Sequence, residues 1–162
     1  MDMNIVTQNG INLATELIKQ FEGCSLIPYY CPANIPTIGY GSTCYEDGTK
    51  VTMIDKPLTQ KQADDLLQWH LTTQCITYAE MILTLLTDNQ NGAILSLIYN
   101  IGGNAFKNST LFNLLNNGAI TTVLTKESWL CWNKARIDGM LQPVKGLTRR
   151  RQLEWDLFNL TI

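Results

Sequence analysis

The chain has 162 residues, 45% of them hydrophobic and 16% charged. That length suits one domain, or one domain with two lobes around a cleft. The apolar share excludes a disordered tail, the shortness of the apolar runs excludes a membrane-spanning helix, and no repeat period is visible. The net charge of −2 is unevenly spread: residues 1–106 carry 4 basic and 10 acidic side chains, residues 107–162 carry 8 and 4. This balance argues against non-specific nucleic-acid binding, while the basic C-terminal third suits one wall of a site for an anionic polymer.

Residues Met1 to Gly10 lack the basic start, apolar core and small-residue cleavage site of a secretory signal, so the chain is expected to be held in a cytoplasm. Five cysteines, Cys24, Cys31, Cys44, Cys75 and Cys131, are then expected to be reduced. Their spacing fits no zinc pattern and His70 is the single histidine, so no metal site is expected.

In chain order, Ile11, Ala14, Leu17, Ile18 and Phe21 recur at helical spacing, which predicts a helix over 11–22. Gly23 is placed to end it at positive φ. Glu22 thereby falls at the last helical position, where the negative end of the helix dipole is unusual company for a carboxylate. Residues 24–56 are rich in proline, glycine, β-branched and aromatic residues. Turns at Pro32-Ala33-Asn34 and Asp47-Gly48, the second suited to type I′, predict a small three-stranded antiparallel sheet.

From Leu58 onward the pattern is helical. Thr59 to Gln62 forms a capping box ahead of Ala63, Leu66, Leu67, Leu71, Tyr78, Met81, Ile82 and Leu85, which make one helix or two with a break near Thr72-Thr73. Thr87 to Gln90 is a second capping box, and Ala93 to Tyr99, apolar nearly all round, predicts a buried central helix stopped by Gly102-Gly103. Shorter helices are expected over 110–116, 119–132 and 148–159, with a loop marked by Gly139, Pro143 and Gly146 before the last. The fold class is α+β, mostly α: a sheet-bearing lobe over about 12–60 and a helical lobe over about 61–162.

The segment from Glu22 to Thr43 carries the chemistry. It sets Glu22 at a helix end, Cys31 in a turn nine residues further along, and Thr37 at a strand start six further on. These residues resemble the catalytic region of the phage-type lysozymes (endolysins), glycoside hydrolase family 24, whose motif is Glu, eight residues, Asp or Cys, five residues, Thr, then Ile-Gly-Tyr-Gly. Thr37-Ile38-Gly39-Tyr40-Gly41 matches it, and Asn100-Ile101-Gly102, Phe106, Ser109-Thr110-Leu111, Trp132-Asn133-Lys134-Ala135 and Gly146-Leu147-Thr148-Arg149-Arg150-Arg151 look like further landmarks in the family's order. Two positions depart from the usual pattern: Ser42 stands where the family usually has His, and Cys31 takes the place of the commoner Asp.

The resemblance implies a lysozyme-like fold with a cleft between the lobes. It implies a muramidase that hydrolyses the β-1,4 bond between N-acetylmuramic acid and N-acetylglucosamine of peptidoglycan, without cofactor or metal. Glycosidic cleavage needs a proton donor and a group to deal with the developing positive sugar. Glu22, partly desolvated at a helix C-terminus, suits the donor, because that setting favours the protonated form. Cys31 suits activation of water as a thiolate, or direct attack, and Thr37 suits positioning of the water. The resemblance further assigns Tyr99 and Phe106 to the cleft wall and an arginine of the last helix, Arg149, to the partnership with Glu22. It implies a monomer stored in the host cytoplasm and released by holin, with no nucleic-acid partner and no membrane insertion. Two alternatives stay open: a lytic transglycosylase that uses Glu22 alone and forms a 1,6-anhydro product, and a wall-binding module without catalysis.

Overall fold

The computed structural model describes residues 4–160. Helix α1 (Gln8–Phe21) starts earlier than the apolar spacing implies, because the Thr7 hydroxyl accepts from the Gly10 N–H and caps it. The helix ends as expected at Glu22, but through an extended residue: Glu22 has φ −88° and ψ 120°. Gly23 is not among the residues at positive φ, so the expected glycine stop is not what terminates the helix.

Strands β1 (Ser25–Tyr30) and β2 (Pro36–Gly39) pair antiparallel around a turn in which Asn34 takes φ 58°. The expected third strand is reduced to two isolated bridges, Ile38 with Ser42 and Cys44 with Lys50. Gly39 at φ 64° and Gly41 at φ 100° swing the chain away directly after β2, so only one pair forms. The Asp47-Gly48 turn forms, but with Gly48 alone at positive φ, so it is not type I′. Instead, the Asp47 carboxylate accepts from the Thr49 N–H and hydroxyl.

Helix α2 (Gln60–His70) opens on the expected capping box. It runs into a π-helical turn at Leu71–Cys75 and then α3 (Ile76–Ala79). The break falls at Thr72-Thr73, whose hydroxyls bond back to the Gln68 and Trp69 carbonyls and compete with the regular ladder. Helix α4 (Asp88–Ile101) is the buried axis, opened by the second capping box and stopped by Gly102 at φ 88°. Around it lie α5 (Gly103–Lys107), α6 (Thr110–Asn116), α7 (Val123–Leu130) and α8 (Lys145–Phe158). Between α7 and α8, where a loop is expected, a hairpin of β3 (Lys134–Ile137) and β4 (Met140–Pro143) turns through Asp138 and Gly139, both at positive φ.

The main core gathers Ile11, Ala14 and Ile18 of α1, Leu67 of α2, Ile94, Leu95 and Leu97 of α4 and Trp155 and Phe158 of α8. A second small cluster of Ile38, Val51 and Leu66 holds the sheet to α2. The exit of β2 is tied down on both sides. The Tyr40 hydroxyl donates to Asp64 of α2 at 2.9 Å, and Lys19 of α1 reaches the same carboxylate at 3.0 Å. Among the described residues no helix is long and apolar enough to cross a membrane.

Helices α1 and α4 touch at glycines. A Cβ on Gly92 would stand 2.8 Å from Leu13 Cβ and 3.2 Å from the Gly10 carbonyl oxygen. Gly92→Ala is therefore expected to lose about 1–3 kcal/mol of stability by overpacking, measured as a lowered urea midpoint. An unchanged midpoint would mean the two helices do not cross there.

Candidate active site

Glu22 leaves the end of α1 with its side chain 28% exposed, so it is open to a ligand on one side only. On the other, Arg150 Nη1 donates to Glu22 Oε1 at 2.5 Å. The arginine is itself buried and held from three directions. Its Nε donates to Glu154 Oε1 at 3.1 Å, its Nη2 donates to the Ser96 carbonyl at 3.2 Å, and its guanidinium lies over the Phe21 ring, 5.6 Å from the centroid.

Glu154 is wholly buried and accepts from Ser96 Oγ, Arg151 Nη2 and Trp129 Nε1. Arg151 Nε also lies 2.8 Å from Glu154 Oε2, at an angle that makes an ion contact but not a hydrogen bond. The group thus holds two cations and two carboxylates. Such balance is what lets charges stay buried, because each loses water but gains a partner.

These contacts correct the assignment of Arg149. It is exposed and borders a surface groove with Pro143, Lys145, Thr148 and Gln152, whereas its neighbour Arg150 reaches Glu22. Adjacent helical residues point about 100° apart, and the inward stripe of α8 is Arg150, Arg151, Glu154, Trp155 and Phe158. The helix also starts at Lys145, so neither arginine stands in its first turn.

Cys31 lies in the turn between β1 and β2, half-buried. Its N–H donates to the Ile35 carbonyl at 3.1 Å and its own carbonyl accepts from the Asn34 N–H at 2.8 Å, which closes the turn. The thiol is held below its ordinary pKa, first by the backbone of Ile35, then by that of Ala33 and by the Thr37 hydroxyl. Thr37 is buried at the start of β2, where its hydroxyl donates to the Ile35 carbonyl at 2.8 Å. Cys31 and Thr37 are therefore neighbours. Tyr29 connects them to Glu22: burial raises its pKa, and the charges of Glu22 and Cys31 both raise it further. Tyr29 is a neighbour of both groups that the motif alone does not single out.

Tyr99 lines a cavity of about 670 Å³ beside this group, and its hydroxyl donates to the Tyr40 carbonyl at 2.8 Å. Burial, and then the charge of Glu22, raise its pKa. Phe106 does not share the wall. It is 0% exposed, edge-to-face with Phe112 at 5.6 Å, and belongs to the core, so it cannot touch a sugar.

A helical body carrying a small sheet, with an acid at a helix end and a thiol and a hydroxyl together on a hairpin, is the arrangement of a lysozyme-type glycoside hydrolase. The phage lysozyme family model matches residues 19–154, and the chain belongs to that family. It is 37% identical to an endolysin of Acyrthosiphon pisum secondary endosymbiont phage 1 over 142 residues, 88% of this chain and 92% of that one. The solved endolysin from Escherichia coli O157:H7 phage FAHEc1 superposes with a TM-score of 0.79 at 31% identity, covering 96% of this chain and 93% of its own. A solved P22 lysozyme superposes at 0.73 with 32% identity, over 96% and 99%.

Arg150→Met strips Glu154 and Glu22 of a partner and is expected to cost about 3–5 kcal/mol. Arg149→Met at the surface is expected to stay within about 0.5 kcal/mol of the parent. Urea unfolding of both decides between the two arginines, and equal losses would refute the assignment. For the thiol, alkylation by iodoacetamide is expected to reach half its maximal rate below the pH of an ordinary thiol, about 8.5. Cys75, whose burial pushes it up to about 12, is expected to stay unlabelled in the folded protein. Mass mapping of the labelled sites, with Cys31 reacting only above pH 9, would contradict this reading.

Proposed function

We propose that Glu22, Cys31 and Thr37 carry out hydrolysis of the β-1,4 bond between N-acetylmuramic acid and N-acetylglucosamine. The muramidase and endolysin activity itself follows from family membership. What supports the division of labour is the placement of Glu22, one carboxylate oxygen clamped by a buried arginine and the side chain partly open to ligand.

Arg150 engages Oε1 and leaves Oε2 to carry the proton. In the protonated state Glu22 gives that proton to the glycosidic oxygen as the bond from the anomeric carbon breaks. Thr37 holds a water near the opposite side, and the Cys31 thiolate takes its proton as the oxygen adds to the carbon. The environment that lowers the thiol's pKa raises the fraction of thiolate near neutral pH. Tyr99 contributes an aromatic wall to the glycan groove.

On the same reading the chain is one lysozyme-like domain, with a sheet-bearing lobe over about 12–60 and a helical lobe over about 61–162. It works as a monomer on peptidoglycan, without nucleic acid and without inserting in a membrane. It waits in the host cytoplasm until holin lesions give it access to the wall.

Glu22→Gln is expected to lower the rate of wall clearing by at least about a hundredfold, with an unchanged circular-dichroism spectrum. Full clearing by that variant would remove Glu22 from the acid role. Protein alkylated at Cys31 is expected to lose most of its rate, and an undiminished rate would make the thiol a bystander. Products heavier by one water per cut are expected from purified peptidoglycan, whereas 1,6-anhydro ends would mark a transglycosylase.

A further inference from the structure

The exposed cations of the last helix and of the hairpin before it have no part in the reaction. Among the described residues, none of Lys134, Arg136, Lys145 and Arg149 takes part in a salt bridge. The register of the hairpin brings them to one surface. Lys134 pairs with Pro143 and Arg136 with Leu141, and directly opposed residues of an antiparallel ladder point to the same face. Pro143 in turn lines a groove of about 490 Å³ whose other bank is α8, through Lys145, Thr148, Arg149 and Gln152. Two cations thus stand on the hairpin side and two on the helix side.

The groove is a fixed feature of the fold. The Asn133 carbonyl accepts from the Val144 N–H at 2.9 Å, and the Asn133 amide donates to the Thr148 hydroxyl at 3.1 Å. These bonds clamp the base of the hairpin to the first turn of α8. Arg136 Nη1 donates to the Gly139 carbonyl at 2.7 Å, which steadies its guanidinium on the hairpin. The groove shares no lining residue with the cavity beside Tyr99, and Arg149 points about 100° away from Arg150, the partner of Glu22. The exposed carboxylates of these two elements, Asp138 at the hairpin turn and Asp156 one helical turn beyond Gln152, do not line it.

A set of unpaired cations along a groove suits a polyanion. The spacing narrows the choice. Lys134 and Arg136 are two strand residues apart, about 6.8 Å, and Lys145 and Arg149 are four helical residues apart, about 6 Å. Those steps are comparable with the distance that a short polyol puts between successive phosphates. The carboxylates of peptidoglycan stem peptides recur less often, one peptide per disaccharide. Leu141, 65% exposed, and Pro143 lie on the same face as Lys134 and Arg136 and give the polyol carbons an apolar strip to rest on. No aromatic residue lines the groove, so the bases of a nucleic acid would find nothing to stack on. A bilayer, being broad and flat, would meet the rims and not the floor.

We propose that this groove binds a linear polymer of polyol units joined by phosphodiesters and attached to the cell wall, and so holds the protein on the wall at a second place. The inference goes beyond the muramidase reading and does not depend on it.

The full chain, titrated calorimetrically with poly(glycerol phosphate), is expected to bind saturably and about tenfold or more weakly at 200 mM than at 50 mM salt, because binding releases counter-ions. Lys145→Gln combined with Arg149→Gln is expected to weaken binding about tenfold or more and to flatten the salt dependence. Lys134→Gln with Arg136→Gln is expected to do the same. Lys50→Gln with Lys56→Gln removes equal charge outside the groove and is expected to leave the affinity within about twofold, since salt screens distant charges. All these positions are exposed, so circular-dichroism spectra are expected to be unchanged, which separates lost binding from lost folding.

Absent or unsaturable binding, undiminished binding by both groove pairs, or an equal loss in the Lys50 and Lys56 pair would each overturn the proposal. Oligothymidylate or phosphatidylglycerol vesicles bound as tightly as poly(glycerol phosphate) would also overturn it, the first marking a nucleic-acid surface and the second a membrane surface. None of these measurements reads wall clearing, so the muramidase reading stands or falls separately.

Discussion

The ion pair between Arg150 and Glu22 is the contact on which the geometry of the site depends. It joins the end of the first helix to the last helix, residues 128 positions apart in the chain. It is not an isolated pair. Behind it Glu154 neutralises Arg150 and Arg151, and Ser96 of the central helix ties both sides to α4. Buried charges tolerate little displacement, because any partner that moves away leaves an ion without water or counter-ion. The network therefore orients the carboxyl group of Glu22 more tightly than apolar packing would, since apolar contacts are non-directional.

The opposite side of the site is built differently. Cys31 and Thr37 sit on a hairpin whose turn is closed by backbone hydrogen bonds, and the backbone of Ile35 and Ala33 in that turn favours the thiolate. An oriented backbone thus supplies part of what a neighbouring cation would otherwise supply. The hairpin is anchored by few residues: a small cluster around Ile38 and Val51, and the Tyr40 hydroxyl on Asp64. One half of the site is fixed by charge in the interior, and the other by hydrogen bonds nearer the surface.

Local signals were legible wherever the physics is local. Both capping boxes form because Thr59 and Thr87 each satisfy helix N–H groups within three residues. The break at Thr72-Thr73 and the stop at Gly102 follow from hydroxyl competition and glycine freedom at those positions. The hairpin through Asp138-Gly139 carries the same kind of signal, an Asp-Gly pair between apolar residues, but its strands are only four residues long and show little alternation in the sequence. The third strand fails because Gly39 and Gly41 at positive φ turn the chain away after β2, and residues 43–56, mostly exposed, give a ladder little to pack on.

The sequence by itself determined the class of protein, the positions of Glu22, Cys31 and Thr37, and the helix boundaries near the caps, because spacing along a chain records which side chains a helix end and a hairpin can present. The tertiary structure alone decided which of two adjacent arginines meets the acid. It also decided that Phe106 is core rather than cleft. Those outcomes depend on the rotation of α8 and α5 about their axes once packed, and a residue's direction around a helix has no meaning until a neighbouring element supplies the inside.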